Sequence, residues 1–208
     1  MPRKCRNCVF WELSPLCAEA ALEVGDPELE KEAWISQTLL EWGSCGRLAF
    51  HGRKPAGFVV YASPKFVPRA AEFPSGPVSA DAALVTTVYV VPELVGKGVG
   101  RQLIQAAAAD VRRKGIYAME AFGDSRAEKD ACMAPADFFR SVGFKTVAPD
   151  RNYPRLRMEM HGAITREAEA AADHDMQTEI DLLLLDSSSM ALVKEGTGSP
   201  RQRGLQGF

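Results

Sequence analysis

The sequence predicts an α/β (α+β) domain, and three stretches carry that prediction. Ala83–Val91 is rich in β-branched and aromatic residues and ends at Pro92, as a mostly buried strand does. A glycine-rich turn and a helical pattern follow it without a break, and Ile116–Phe122 then reads as a further strand. A crossover through that helix sets the two strands side by side in one sheet. Arg47–Phe50 and Ala56–Tyr61, separated by the polar run His51-Gly52-Arg53-Lys54, read as an antiparallel hairpin.

Taken in order, the chain opens with Cys5-x-x-Cys8, followed by Cys17 and Cys45. A Cys-x-x-Cys pair is half of a zinc site, because its short turn lets two thiolates face one tetrahedral ion. No second tidy pair follows, so reduced thiols are the favoured reading, with zinc at Cys5/Cys8 as the alternative. A redox reading is poorer, since no βαβ context surrounds the pair. Val9-Phe10-Trp11 is either a short first strand or an aromatic plug against the core. Asp26-Pro27-Glu28 is a helix start: Asp caps, Pro suits the first turn, and acids suit the positive end. The helix is expected to run to Trp42, with Leu29, Ala33, Ser36 and Leu40 on one face and Gly43 as its stop. Trp34 and Trp42 are expected in the core.

Residues 62–82 hold Pro64, Pro68, Pro74 and Pro77 with Phe66 and Phe73, so neither a regular strand nor a helix is expected. A connection this long is uncommon in a compact domain, and such loops are often lids or binding loops. The expectation is that it borders a binding site, the acceptor site of the activity that the resemblance given below implies, with a plain surface excursion as the alternative. Within Ile116–Phe122, Glu120 interrupts an apolar run; it is either salt-bridged or held near a reactive group. Further on, Pro135 starts a short helix that Gly143 stops. Arg155–Met160 alternates apolar and charged residues like a strand with one buried face. After Gly162 the composition turns acidic and then Gly/Ser/Gln/Arg-rich, which reads as a helix and a flexible tail. The expected division is residues 1–46 as an N-terminal part of the domain, 47–161 as the core, and 162–208 as helix and tail.

Val95-Gly96-Lys97-Gly98-Val99-Gly100 carries the functional signal. Three glycines within this hexapeptide let the backbone take positive φ and approach a ligand. Val99, Leu103, Ala107 and Val111 then recur at helical spacing. A helix N-terminus holds about half a positive charge and several unpaired N–H groups, so amides from Gly96 to Arg101 suit a pyrophosphate. A P-loop is excluded because Gly-x4-Gly-Lys-Ser/Thr does not occur. The dinucleotide fingerprint also fails, with Leu103 where its third Gly belongs.

Val95-x-x-Gly98-x-Gly100 resembles Gln/Arg-x-x-Gly-x-Gly/Ala, the coenzyme A signature of the GNAT (general N-acetyltransferase) superfamily, with Val95 in place of Gln or Arg. The preceding strand, Tyr89-Val90-Val91-Pro92, and the helix start Gly100–Ile104 are similar too. A second phrase, Phe138-Phe139-x-x-x-Gly143-Phe144, resembles the family's Phe-Tyr-x-x-x-Gly-Phe, so Phe139 stands where a general-acid Tyr is frequent. The resemblance covers residues 45–160. It implies a mixed, mostly antiparallel sheet flanked by helices on both faces, with acetyl-CoA in a V between the strands at 84–91 and 116–122. Implied coenzyme contacts are Val88, Tyr89, Val90, Val95, Gly96, Lys97, Gly98, Val99, Gly100, Arg101 and Phe139. The implied activity is transfer of an acetyl group to a primary amine, of a small molecule or a protein, by direct attack on the thioester. Backbone N–H groups near Val90 are expected to hold the oxyanion. Glu120 is the candidate base, and Cys132 a candidate proton donor or acyl carrier. The alternative is an acyl-CoA-binding or protein-interaction module without catalysis, which Phe139 and Val95 keep open. The acceptor is not named by any residue pattern, and a homodimer stays open.

Composition limits other readings. The 25 basic and 27 acidic residues give a net charge of −2, so no broad basic surface suggests nucleic acid or a membrane. No apolar run approaches the ~18 residues of a membrane span, and nothing at the N-terminus resembles a signal peptide, so the expected location is the cytoplasm.

Overall fold

The computed structural model describes residues 2–23, 25–126 and 133–160. His161, the segment 162–208 and Cys132 lie outside the described residues. Three helices come first: α1 (Arg3–Arg6), α2 (Pro15–Glu23) and α3 (Pro27–Glu41). They precede β1 (Gly46–His51) and β2 (Lys54–Ala62), then β3 (Ala82–Val90), α4 (Val99–Arg113) and β4 (Ala118–Phe122). The described chain closes with α5 (Ala136–Ser141), β5 (Lys145–Ala148) and β6 (Arg155–Glu159).

The six strands form one sheet in the order β1-β2-β3-β4-β6-β5. Only β3 and β4 run parallel, as the crossover through α4 demands, and every other neighbouring pair is antiparallel. Because side chains alternate across a strand, the sheet has two different faces. Ala83, Val85, Met119 and Ala121 pack with Leu103, Ile104, Ala107 and Val111 of α4 and with Phe139 of α5. Leu84 and Phe122 face the other way, against Trp11, Trp34, Phe66, Val67, Ala70 and Phe73. Helices therefore cover both faces, as expected.

Asp26 caps α3, its carboxylate accepting from the N–H groups of Glu28 and Leu29, and Gly43 follows the helix at φ +91°. The expected buried stripe of α3 is corrected. Leu29 and Leu40 are 60% and 89% exposed, whereas Lys31, Trp34 and Thr38 are buried. Lys31 can sit on the inner face because it finds partners there: the Glu12 carboxylate at 2.7 Å and the Cys8 carbonyl oxygen. Trp34 donates its indole N–H to the Phe66 carbonyl at 2.7 Å.

Val9-Phe10-Trp11 forms a turn and not a strand. The Trp11 ring lies almost flat on Phe73 at 5.2 Å, and Phe73 in turn stacks on Phe122 at 4.3 Å, which is the aromatic plug of the two readings. Residues 62–82 contain two short 3-10 turns, Pro64–Phe66 and Pro68–Glu72. Phe66, Val67, Ala70 and Phe73 are buried there, so this stretch fills the second core.

Candidate coenzyme and acceptor site

Pairing of β3 with β4 is brief. It spans Ala82–Val85 against Ala118–Ala121, and among the described residues no strand continues along that edge of β3 from Thr86 to Val90. The other edge shows why the strand turns away here. Its register against β2 slips by one residue between Val85 and Thr87, a bulge at Thr86 that bends and twists the strand. Thr86 Oγ1 donates to the Val60 carbonyl at 3.2 Å, which holds the bulge on β2. The C-terminal ends of β3 and β4 thus part, and the space along the unpaired edge of β3 is the candidate cleft. The N–H of Val91 donates to the Ala56 carbonyl at 2.9 Å. Successive amides of a strand face opposite edges, so the Val90 N–H faces the cleft. Val88 and Val90 pack toward α4, while Tyr89 lies on the opposite face and stacks on Phe58 at 5.5 Å.

The loop after β3 is built for exposed amides. Pro92–Leu94 forms a 3-10 turn, and Gly96 and Gly98 take φ of +79° and +87°. A Cβ on either would meet no atom within 4 Å, so these two glycines are needed for conformation and not for space. Gly98 caps α4, whose first internal bond runs from the Gln102 N–H to the Gly98 carbonyl. The expected run of free amides from Gly96 to Arg101 is corrected at Lys97, which donates to the Leu94 carbonyl, and the preceding Val95 donates to the Pro92 carbonyl. Gly96, Gly98, Val99, Gly100 and Arg101 keep N–H groups that meet no main-chain acceptor among the described residues. This is the arrangement in which a helix N-terminus binds an anion.

The side chains of the loop contribute differently. Val95 is 66% exposed and supplies neither a donor nor a charge. Arg101 turns its guanidinium away, donating to the Ser141 carbonyl at the end of α5 at 2.7 Å. Lys97 is exposed. Gly100 serves a third purpose, because a Cβ there would come within 2.8 Å of Phe138 Cε2. Phe138 thereby closes over the first turn of α4. Phe139 is 2% exposed and meets Phe138 and Phe144 edge to face at 5.4 and 5.2 Å, so it is a core side chain without a proton to give.

Glu120 is fully buried, one residue before the last β3–β4 pair. Its carboxylate accepts from Arg155 and from the Ser79 N–H (3.2 Å) on one oxygen, and from Arg157 (3.1 Å) on the other. Burial alone would push its pKa up. Hydrogen bonds from Ser79, Arg155 and Arg157 outweigh that and hold it below the ordinary carboxylate value. This is the salt-bridged member of the two readings of Glu120.

Two further features went unread in the sequence. A cavity of about 10 Å³, room for about one water, lies where the N-terminal segment crosses the sheet; Cys5, Cys8, Trp11, Lys31, Phe58, Val60 and Thr87 line it. Residues 62–82 contribute none of this lining. Thr87 belongs to the cleft-forming half of β3, so the cavity adjoins the cleft on the face opposite α4. At the end of β4, Asp124, Ser125, Arg126, Asp137 and Arg140 line a polar cleft of about 320 Å³. The first was hidden because the segment that closes it is distant in sequence; the second because its charged residues come from two separate stretches, Asp124 to Arg126 and Asp137 to Arg140.

Metal is a separate matter. Among the described residues no group of three or more His, Cys, Asp or Glu side chains gathers, so Cys17 and Cys45 do not join Cys5 and Cys8. No helix among the described residues is long and apolar enough to cross a membrane.

Residues 48–146 match the family model described as an acetyltransferase (GNAT) domain. No curated protein matches the chain. Among solved structures, the chain is similar to the PaiA N-acetyltransferase from Thermoplasma acidophilum in complex with coenzyme A, at 18% identity and a TM-score of 0.44, covering 71% of this chain and 80% of that one. It is also similar to an N-acetyltransferase from Staphylococcus aureus Mu50 (17% identity, TM-score 0.45, covering 66% and 79%). An acetyltransferase from Thermus thermophilus gives 21% identity and a TM-score of 0.40, covering 58% and 68%. With every one of these scores below 0.5, the likeness rests on the matched domain and on the signature loop. What the comparisons show is therefore a match to an acetyltransferase (GNAT) domain over residues 48–146, just under half of the chain.

Proposed function

We propose that the protein is an acetyl-CoA-dependent N-acetyltransferase that moves the acetyl group to a primary amine. The observation that carries this reading is the set of outward amides at Gly96, Gly98, Val99, Gly100 and Arg101, immediately beyond a strand edge released from its neighbour. The coenzyme diphosphate binds those amides, and the pantetheine arm runs into the cleft between β3 and β4. Val88, Val90 and the Phe138 side of α5 form its apolar walls, and Tyr89 faces the acceptor.

In this reading the neutral amine attacks the thioester carbonyl carbon, the C–N bond forms, and the carbonyl oxygen takes negative charge that the Val90 N–H stabilises. Such donors are usually a large part of the rate gain, about 10²–10³ for one donor. Collapse breaks the C–S bond, and coenzyme A leaves as a thiol once it takes up the proton shed by the amine. Phe139 cannot supply that proton. Cys132 is the candidate donor, tested by comparing C132A with wild type across pH. Glu120 enters the reading as the carboxylate that braces β4 against β6, because both its oxygens are occupied and its proton affinity is low.

The second reading, a coenzyme-binding module without turnover, is favoured by the missing hydroxyl at Phe139. A panel of small amines, amino acids and peptide N-termini, read by release of coenzyme thiol, tests both. Thiol release that depends on one acceptor class supports the transferase. Tight acetyl-CoA binding with no release for any acceptor supports the module and overturns it.

A further inference from the structure

Cys5 and Cys8 take no part in the coenzyme features, yet the fold brings them to one place. Cys5 lies in α1, which ends at Arg6, and Cys8 follows a bend at Asn7. Only two residues separate them, and the bend that ends the helix turns both toward the same small space. Both residues line the small cavity with Trp11, Lys31, Phe58, Val60 and Thr87. Both are part-exposed thiols, unlike Cys45, which is 3% exposed. The Lys31 ammonium, fixed by the Glu12 carboxylate, stands beside them. Burial, and then a charge on Cys8, hold the Cys5 thiol above its ordinary value, and Lys31 only partly offsets them. The two sulfurs therefore sense each other's charge as well as that of the lysine.

We propose that Cys5 and Cys8 form a redox-active dithiol, oxidised by a peroxide to a disulfide that reshapes the cavity beside β3. One sulfur, as thiolate, attacks a peroxide oxygen; the O–O bond breaks, the sulfur becomes a sulfenic acid and water leaves. The second thiol attacks that sulfur, the S–S bond forms, and a second water leaves with the proton. Two thiols are oxidised and one hydrogen peroxide is reduced. Only the consequence for acceptor binding rests on the transferase reading; the covalent event does not.

The test treats the full chain with hydrogen peroxide, blocks remaining thiols with an alkylating agent, and maps the peptides by mass. The expected result is an intramolecular Cys5–Cys8 link that dithiothreitol reverses, absent in C5S and in C8S and retained in C17S. Full alkylation of Cys5 and Cys8 after peroxide, or links to Cys17 or between chains instead, would overturn the proposal. With a turned-over acceptor in hand, the oxidised wild type is expected to show a severalfold change in acceptor KM with acetyl-CoA affinity unchanged. A disulfide that leaves KM unmoved would overturn the link to the cavity. A protein that turns over no amine still yields the thiol map, so failure of the transferase reading is seen separately.

Discussion

At the scale of single residues, Glu120 and the loop glycines decide most. Glu120 is buried with two arginines that are themselves mostly covered; removing its charge leaves Arg155 to the neutral Ser75 carbonyl and Ser79 hydroxyl, while Arg157 keeps Asp81 and Glu159. The Glu120→Gln variant is expected to lose about 3–5 kcal/mol in denaturant unfolding. Its pKa lies below the ordinary 4.5, so its contribution is fully present above that pH and is lost as pH falls through the folded value. Wild-type stability should therefore drop on acidification more steeply than that of E120Q, and the pH profile of turnover in E120Q should keep its shape. A profile that loses its acidic limb would instead make Glu120 the base. Gly98→Ala is expected to cost about 1–2 kcal/mol, the penalty of a side chain in the left-handed region, and to weaken acetyl-CoA binding measured by calorimetry. Equal affinity in G98A and wild type would argue against the loop as the coenzyme site. The loop glycines were legible from their spacing alone. The partners of Glu120 were not, because Ser79, Arg155 and Arg157 are at least 35 residues from it along the chain.

At the scale of elements, α4 is the part whose placement the site depends on. Its apolar face buries Leu103, Ile104, Ala107 and Val111. Asp110, also buried, ties the helix to β1 through Arg47 and to β2 through the Tyr61 hydroxyl. Hydrogen bonds from Arg47 and Tyr61 overcome the effect of burial and hold Asp110 below its usual pKa. Asp110→Ala is expected to destabilise by about 3–5 kcal/mol, with thermal melting as the readout, and a variant melting like wild type would contradict this role. The other end of α4 depends on a close approach. Gly100→Ala should lower both stability and coenzyme affinity, and G100A/F138L should recover part of both, since only the Phe138 ring stands in the way at that distance. No recovery would place the cost elsewhere. Element by element, the hairpin, β3, α4 and β4 follow from the sequence because period and punctuation agree there. The inner face of α3 does not, because Lys31 and Thr38 occupy it and hydrophobic periodicity points to the opposite side.

At the scale of the whole molecule, one bulge and one short parallel pairing part β3 from β4, and one loop leaves five amides without main-chain acceptors beside that opening. A topology of this kind follows from the strand-loop-helix-strand order, whereas the depth of the cleft depends on where β3–β4 pairing stops, which no residue pattern announces. The cavity roofed by Trp11 and Lys31 depends likewise on docking of a segment far from the strands beneath it. The acceptor is the part the fold alone does not specify, since the same scaffold serves many sites. The coenzyme grip is more sharply defined, and an amide-resolved NMR titration with coenzyme A tests it most directly. The N–H signals of Gly96, Gly98, Val99, Gly100 and Arg101 should shift together and saturably, ahead of Val95 and Lys97, whose amides already have acceptors. Saturable binding that leaves those five amides unmoved, or no binding at all, would contradict the account.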